Sequence, residues 1–256
     1  MYTMNTTEQL LEEIRELLDH KENMSVVLSN NKTNWCTMFS PPIYLNPKRK
    51  YEMALISLES YYSIPNINSS NNTLVYKITG GITKTITIPV GSYELADINS
   101  EIQRQMQING DVGSPISLAV NTATLKAVIA ISNPLYSVDM GESTIRTLLG
   151  FHRRILTSTS EGDATVNILT VNSIMVTCSL IGGSYIDGIM QPIIYSFFPD
   201  VSPGEKIIES PRNLIYLPIT SSGSIPRIEI SLLDQNGDTI DFRGETVTIR
   251  LHIRSL

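Results

Sequence analysis

Three histidines, two cysteines and a few basic spots are the residues best placed to do chemistry. Their spacing gives them little to do. His20 lies in a charged run, His152 stands beside Arg153 and Arg154, and His252 falls on the polar side of an alternating stretch. None has a His or Cys partner at metal-ligand spacing. Cys36 and Cys178 are too few for a disulfide framework or a structural zinc site. Each sits in an apolar run, where a buried, inert thiol is the plain reading. Ser184, in Gly182-Gly183-Ser184-Tyr185, lacks the following glycine of a nucleophile elbow. No glycine-rich phosphate cradle occurs. Lys48-Arg49-Lys50 and Arg153-Arg154 are small basic spots, and so few charges gain little from counterion release. The sequence therefore reads as a non-enzyme with no catalytic, cofactor or metal site.

The elements that carry these residues are mostly β. The chain has 256 residues, 41 % of them apolar and only 17 % charged, with a net charge of −6. An acidic, weakly charged chain argues against nucleic-acid wrapping and against sequence-specific nucleic-acid binding. It suits a surface covered by partners. There are 34 Ile, 13 Val and 23 Thr, beside 13 Pro and 15 Gly, the composition of strands punctuated by turns. No apolar run is long enough to span a membrane. The acidic N-terminus does not read as a secretion signal.

From Met24 onward, short β runs alternate with turn residues. Two alternate strictly. Ile228, Ile230 and Leu232 oppose Arg227, Glu229 and Ser231; Val247, Ile249, Leu251 and Ile253 oppose Thr248, Arg250, His252 and Arg254. Asp234-Gln235-Asn236-Gly237 lies between them, so runs 226–232 and 245–254 are expected to pair antiparallel. Thr79-Gly80-Gly81 is a second hairpin signal. Helices are expected over 95–108, ending at Asn109-Gly110, and over 143–149, between Ser143 and Gly150. The expected fold class is all-β: one jelly-roll sandwich of eight to twelve strands, with domain bounds 24–256.

Residues 1–23 form a separate helical arm. Leu10, Leu11, Ile14, Leu17 and Leu18 recur at helical spacing over 6–22, and acids fill the other faces. This stripe must be buried somewhere, either on its own domain or on a partner, and in the second reading these five residues are the candidate partner contacts. Two aromatic steps, Tyr61-Tyr62 and Phe197-Phe198-Pro199, end strands where they meet loops. Each reads as strand-end packing or as an interface anchor.

Several phrases carry a resemblance. They are SVVLSNNKTNW, Tyr51–Glu59, YYSIPNI, TITIPVGSYELADINSEI, TLLGF, VNSIMVTCSLIGGSY, FFPDVSPGEKIIESPRNLIYLPI and DQNGDTIDFRGETVTIRLHIR. Together, over most of residues 24–254, the chain resembles the minor capsid, penton-like proteins of Polinton or Maverick elements and adintoviruses. The resemblance implies a single jelly roll forming homopentamers at the five-fold vertices of an icosahedral shell. It implies a major capsid protein as partner and the virion capsid as location, assembled inside the host cell and not secreted. A non-catalytic jelly-roll binding module, lectin-like or a spike, would share this composition and is the alternative.

Overall fold

The computed structural model describes residues 22–168, 170–186 and 188–256, together with Leu11. Three strands come first: β1 (Asn23–Asn30), β2 (Asn34–Tyr44) and β3 (Tyr51–Tyr61). A second group follows: β4 (Thr73–Ile78), β5 (Ile82–Thr87), helix α1 (Leu95–Ile108), β6 (Ile116–Asn121), β7 (Lys126–Ile131) and β8 (Tyr136–Asp139). A 3₁₀ turn at Thr144–Arg146 and the two-residue strands β9 (Ile155–Leu156) and β10 (Ser160–Glu161) complete it. The chain then returns to the first group with β11 (Ile174–Cys178), β12 (Ser184–Ile186), β13 (Ile189–Gln191) and β14 (Ile193–Phe197). It ends with β15 (Lys206–Glu209), β16 (Leu217–Pro218), β17 (Ser224–Leu233) and β18 (Val247–Ser255).

The first and last groups make a jelly-roll sandwich. One sheet runs β1-β18-β3-β15, with β16 also on β3; the other runs β14-β11-β17-β2. Every pairing is antiparallel. Alternation explains the facing layers. Val247, Ile249, Leu251 and Ile253 of β18 are fully buried, each stabilising by roughly 1.5–3 kcal/mol. Ile225, Ile228, Ile230 and Leu232 of β17 meet them from the other sheet in one cluster. β11 (IMVTC) is buried at every residue, as a central strand covered on both faces should be.

Pairing of β17 with β18 is not observed, which corrects the sequence expectation. β17 lies between β11 and β2, and β18 between β1 and β3, in the opposite sheet. The Asp234–Gly237 turn is real but closes only a short return. Leu233 bridges to Thr239, and Ile240 N–H donates to Leu232 C=O at 3.1 Å. Buried Ile240 and Phe242 then carry the chain across the core to β18. A turn signal reports a local reversal, and the sheet that the next strand joins depends on nonlocal packing.

Most of the buried apolar residues fall into two clusters. Residues 66–168, between β3 and β11, bury a second cluster under sheets β5-β4-β8-β9 and β10-β7-β6. Helix α1 supplies Leu95, Ile98, Ile102 and Met106 to it. Glu94 opens the helix, its N–H donating to the Asp97 carboxylate at 3.2 Å. The helix ends at Asn109, and Gly110 takes a φ of +83°. The expected helix 143–149 shrinks to the 3₁₀ turn, yet Ile145, Leu148 and Leu149 all reach the cluster. The Thr79-Gly80-Gly81 hairpin joins β4 to β5 as expected, with Ile78 opposite Ile82.

Candidate assembly surface

Several titratable residues make contacts within the fold. His252 sits on the outer side of β18, where its Nδ1 shares a hydrogen bond of 2.7 Å with the Tyr216 hydroxyl. Arg254 stacks on the Tyr216 ring at 3.4 Å and pairs with Glu52 across β18 and β3. His152 is a loop residue with Nδ1 3.8 Å from Asp163. His20 lies outside the described residues. Among the described residues, no group of three or more His, Cys, Asp or Glu could hold a metal.

The two cysteines separate. Cys178 is buried, its Sγ 3.8 Å from Met53 Sδ, and burial pushes its thiol up to about 11. Cys36 is exposed on β2, which corrects the expectation of a buried thiol there. β2 is an edge strand with one face toward solvent, and Cys36 falls on that face, between buried Trp35 and half-buried Thr37.

The most buried charge lies in the second cluster. Asp111 accepts hydrogen bonds from the Tyr76 hydroxyl, from Tyr136 Oη at 2.9 Å and from Lys84 Nζ at 3.0 Å. Burial pushes its carboxyl up, but the bonds from Tyr76, Lys84 and Tyr136 outweigh this and hold it below the usual carboxylate range. Burial and the Asp111 bond push Tyr76 well up. All of these groups are satisfied by one another, so the cluster fastens the end of α1 to β4, β5 and β8. A cleft between the two buried clusters is lined by Tyr62, Asn66, Tyr93, Glu94, Val201 and Glu205 among others. Asn66 spends its amide there on Tyr93 C=O at 2.7 Å and Ile168 C=O at 3.0 Å, and accepts from Tyr93 N–H at 2.9 Å. Its polar groups thus join the two ends of the 66–168 segment.

The described residues also expose apolar surface. The aromatic steps each split, one ring inward and one outward. Tyr62 is buried while Tyr61 is exposed; Phe197 is buried while Phe198 is 74 % exposed. One concentration is a two-stranded ribbon, β12–β13, which lies between β11 and β14 in the chain. It shows Tyr185, Ile186, Ile189 and Met190 to solvent. Nearby in sequence, Ile208 and Ile215 line a groove with Tyr195 and Arg212. Contiguous exposed apolar residues mark interaction surfaces. Of the sequence-predicted contacts, Leu11 is helical and exposed, and Leu10, Ile14, Leu17 and Leu18 lie outside the described residues. The ribbon escaped sequence reading. Its signal was Asp187-Gly188 between the apolar pairs Tyr185-Ile186 and Ile189-Met190, a short hairpin pattern.

No protein-family model matches the chain, and no curated protein matches it. Among solved structures it is similar to the mavirus penton protein, at 11 % identity and a TM-score of 0.51. The alignment covers 93 % of this chain and 100 % of that one. At such identity the likeness is one of fold, and what the two chains share is a mostly β architecture that includes a jelly-roll sandwich.

Proposed function

We propose that this chain is a structural capsid protein of the penton type, closing rings at the five-fold vertices of an icosahedral shell. One observation carries the reading: a jelly-roll chain matched over 93 % of its length by a viral penton protein also leaves the apolar β12–β13 ribbon in solvent. Two different patches on one molecule, such as that ribbon and the Ile208–Ile215 groove, suit a heterologous contact. Such contacts close into rings when the rotation allows. The Polinton and adintovirus resemblance is part of the same proposal, as are a major capsid protein around the ring and a site of action in the virion.

Native mass spectrometry of the purified chain tests it. The expected species is five copies of the 28.4 kDa protein. Ile189→Asp with Met190→Asp should return it to monomer without changing its circular dichroism. A monomer at every concentration, even in the presence of shell proteins, would overturn the reading and favour a jelly-roll binding module.

A further inference from the structure

The start and end of the described chain meet at one groove. Glu22 N–H donates to Ser255 Oγ at 2.9 Å, and Ser255 N–H donates to Glu22 C=O at 2.9 Å. Leu256 N–H donates to Lys50 C=O at 2.9 Å. Tyr51 gives its hydroxyl hydrogen to the Glu22 carboxylate and accepts from Asn46 N–H at 2.9 Å. Residue 22, where the arm joins the sandwich, is therefore fixed beside Tyr51. Tyr51 is also in the wall of a groove of about 320 Å³. Pro218, Ile219 and Leu256 give that groove apolar surface above buried Leu45, while Arg49 and Lys50 give it positive charge. Among the described residues, no Asp or Glu side chain lines it, and the Glu22 carboxylate stands behind the Tyr51 hydroxyl. Lys48, exposed in the same loop, extends the basic rim. Arg49 reaches back to Ser255 Oγ at 3.3 Å, which holds the rim against the strand end.

The arm has the complementary chemistry. Residues 1–21 carry Glu8, Glu12, Glu13, Glu16 and Asp19 against Arg15 and Lys21, around the stripe of Leu10, Leu11, Ile14, Leu17 and Leu18. Leu11 is helical and exposed within its own chain, so at that point the stripe is not buried on its own sandwich. We infer that the arm of one copy docks in the basic-rimmed groove of a second copy. In that inference its leucines lie on Pro218, Ile219 and Leu256, and its acids face Lys48 and Lys50. Each copy offers an arm and a groove side by side, so exchange can continue around a ring. This inference rests on the homo-oligomer reading above and adds to it the segment and the groove that join the copies.

Two full-length variants, both carrying Cys36→Ser, test it with a bis-maleimide crosslinker. One bears Glu13→Cys in the arm and the other Ser222→Cys beside the groove; buried Cys178 stays silent. Mixed, they should give a crosslinked dimer of one of each. Adding Lys48→Glu and Lys50→Glu to the groove partner should cut its yield roughly tenfold, the scale of two exposed ion pairs. Glu12→Lys with Glu16→Lys in the arm partner should restore it. Crosslinking only within a chain that bears both cysteines overturns the inference in favour of docking on its own sandwich. No crosslink in either arrangement also overturns it. Native mass read on the same samples keeps the two proposals apart: a ring that persists without the crosslink sinks the arm and spares the ring.

Discussion

At the residue scale, several polar groups of kinds that do chemistry elsewhere are here engaged in structure. Asp111 shows this best. Its folded carboxyl is held below its ordinary value by Tyr76, Lys84 and Tyr136, while in the unfolded chain it returns to about 3.9. A depressed carboxylate contributes stability above its unfolded value and loses that contribution as pH falls toward its folded value. Thermal stability of the native chain should therefore decline on acidification below about pH 5, with Asp111 among the causes. Asp111→Asn should lose about 1–3 kcal/mol at neutral pH and show a shallower decline in acid; an unchanged acid slope would disprove the assignment. The cysteines give a second check. Cys36 is exposed and Cys178 is buried with its thiol pushed up to about 11. One equivalent of iodoacetamide label should enter the native chain at pH 8, on Cys36 alone, and a second only after denaturation. Burial of these side chains was hard to read from sequence because both cysteines sit in similar apolar runs. The difference comes from the strand: β11 is central and β2 is an edge.

At the element scale, the sequence was most legible where the period was long and the partner local. Helix α1 was fully foreseen, since Leu95, Ile98, Ile102 and Met106 repeat at helical spacing and Asn109-Gly110 ends them. Strands β17 and β18 were found within a few residues, but the sheet each joins was not, because a jelly roll places consecutive strands in opposite sheets. Pro226 explains another irregularity. It has no N–H to give, and the β17–β2 register shifts between Ile225 and Arg227, around it. The turn at 143–150 shows how little sequence is needed to fix a loop. Gly150 takes a φ of +73°, and a Cβ there would stand 2.3 Å from Ala164 C=O. Its N–H and C=O hold Thr147 C=O and the N–H groups of Asp163 and Ala164. Gly150→Ala therefore meets both backbone strain and a backbone clash. It should cost at least 1–3 kcal/mol, seen as a drop in melting temperature, whereas Gly237→Ala, in open space, should cost only the strain. Equal losses at both sites would show that the contact with Ala164 contributes nothing.

At the scale of the whole molecule, one sandwich is interrupted by a second buried cluster, and composition gave no hint of the division. Both parts are rich in β-branched residues, and no linker separates them. Geometry shows how the interruption is tolerated. Ile64 and Val171 belong to the sandwich cluster, and Ile67 to the second one. Between them, Asn66 Nδ2 lies 3.0 Å from Ile168 C=O, so the segment leaves and returns at nearly one point. Closing a short loop there costs little chain entropy. Replacing residues 66–168 by a short Gly-Ser linker should thus leave a cooperatively folded sandwich with β-type circular dichroism. The ribbon of Tyr185, Ile186, Ile189 and Met190 and the groove at Lys48–Lys50 both remain in that shortened chain. If assembly depends on them, the shortened protein should still form the oligomer seen for the full chain by native mass spectrometry. A shortened chain that folds but stays monomeric would move the assembly surface to the 66–168 segment, where Ile82, Leu125, Leu135 and Ile155 are exposed. A shortened chain that does not fold would mean that the two clusters stabilise one another across the Asn66 junction, and that the sandwich depends on its insertion.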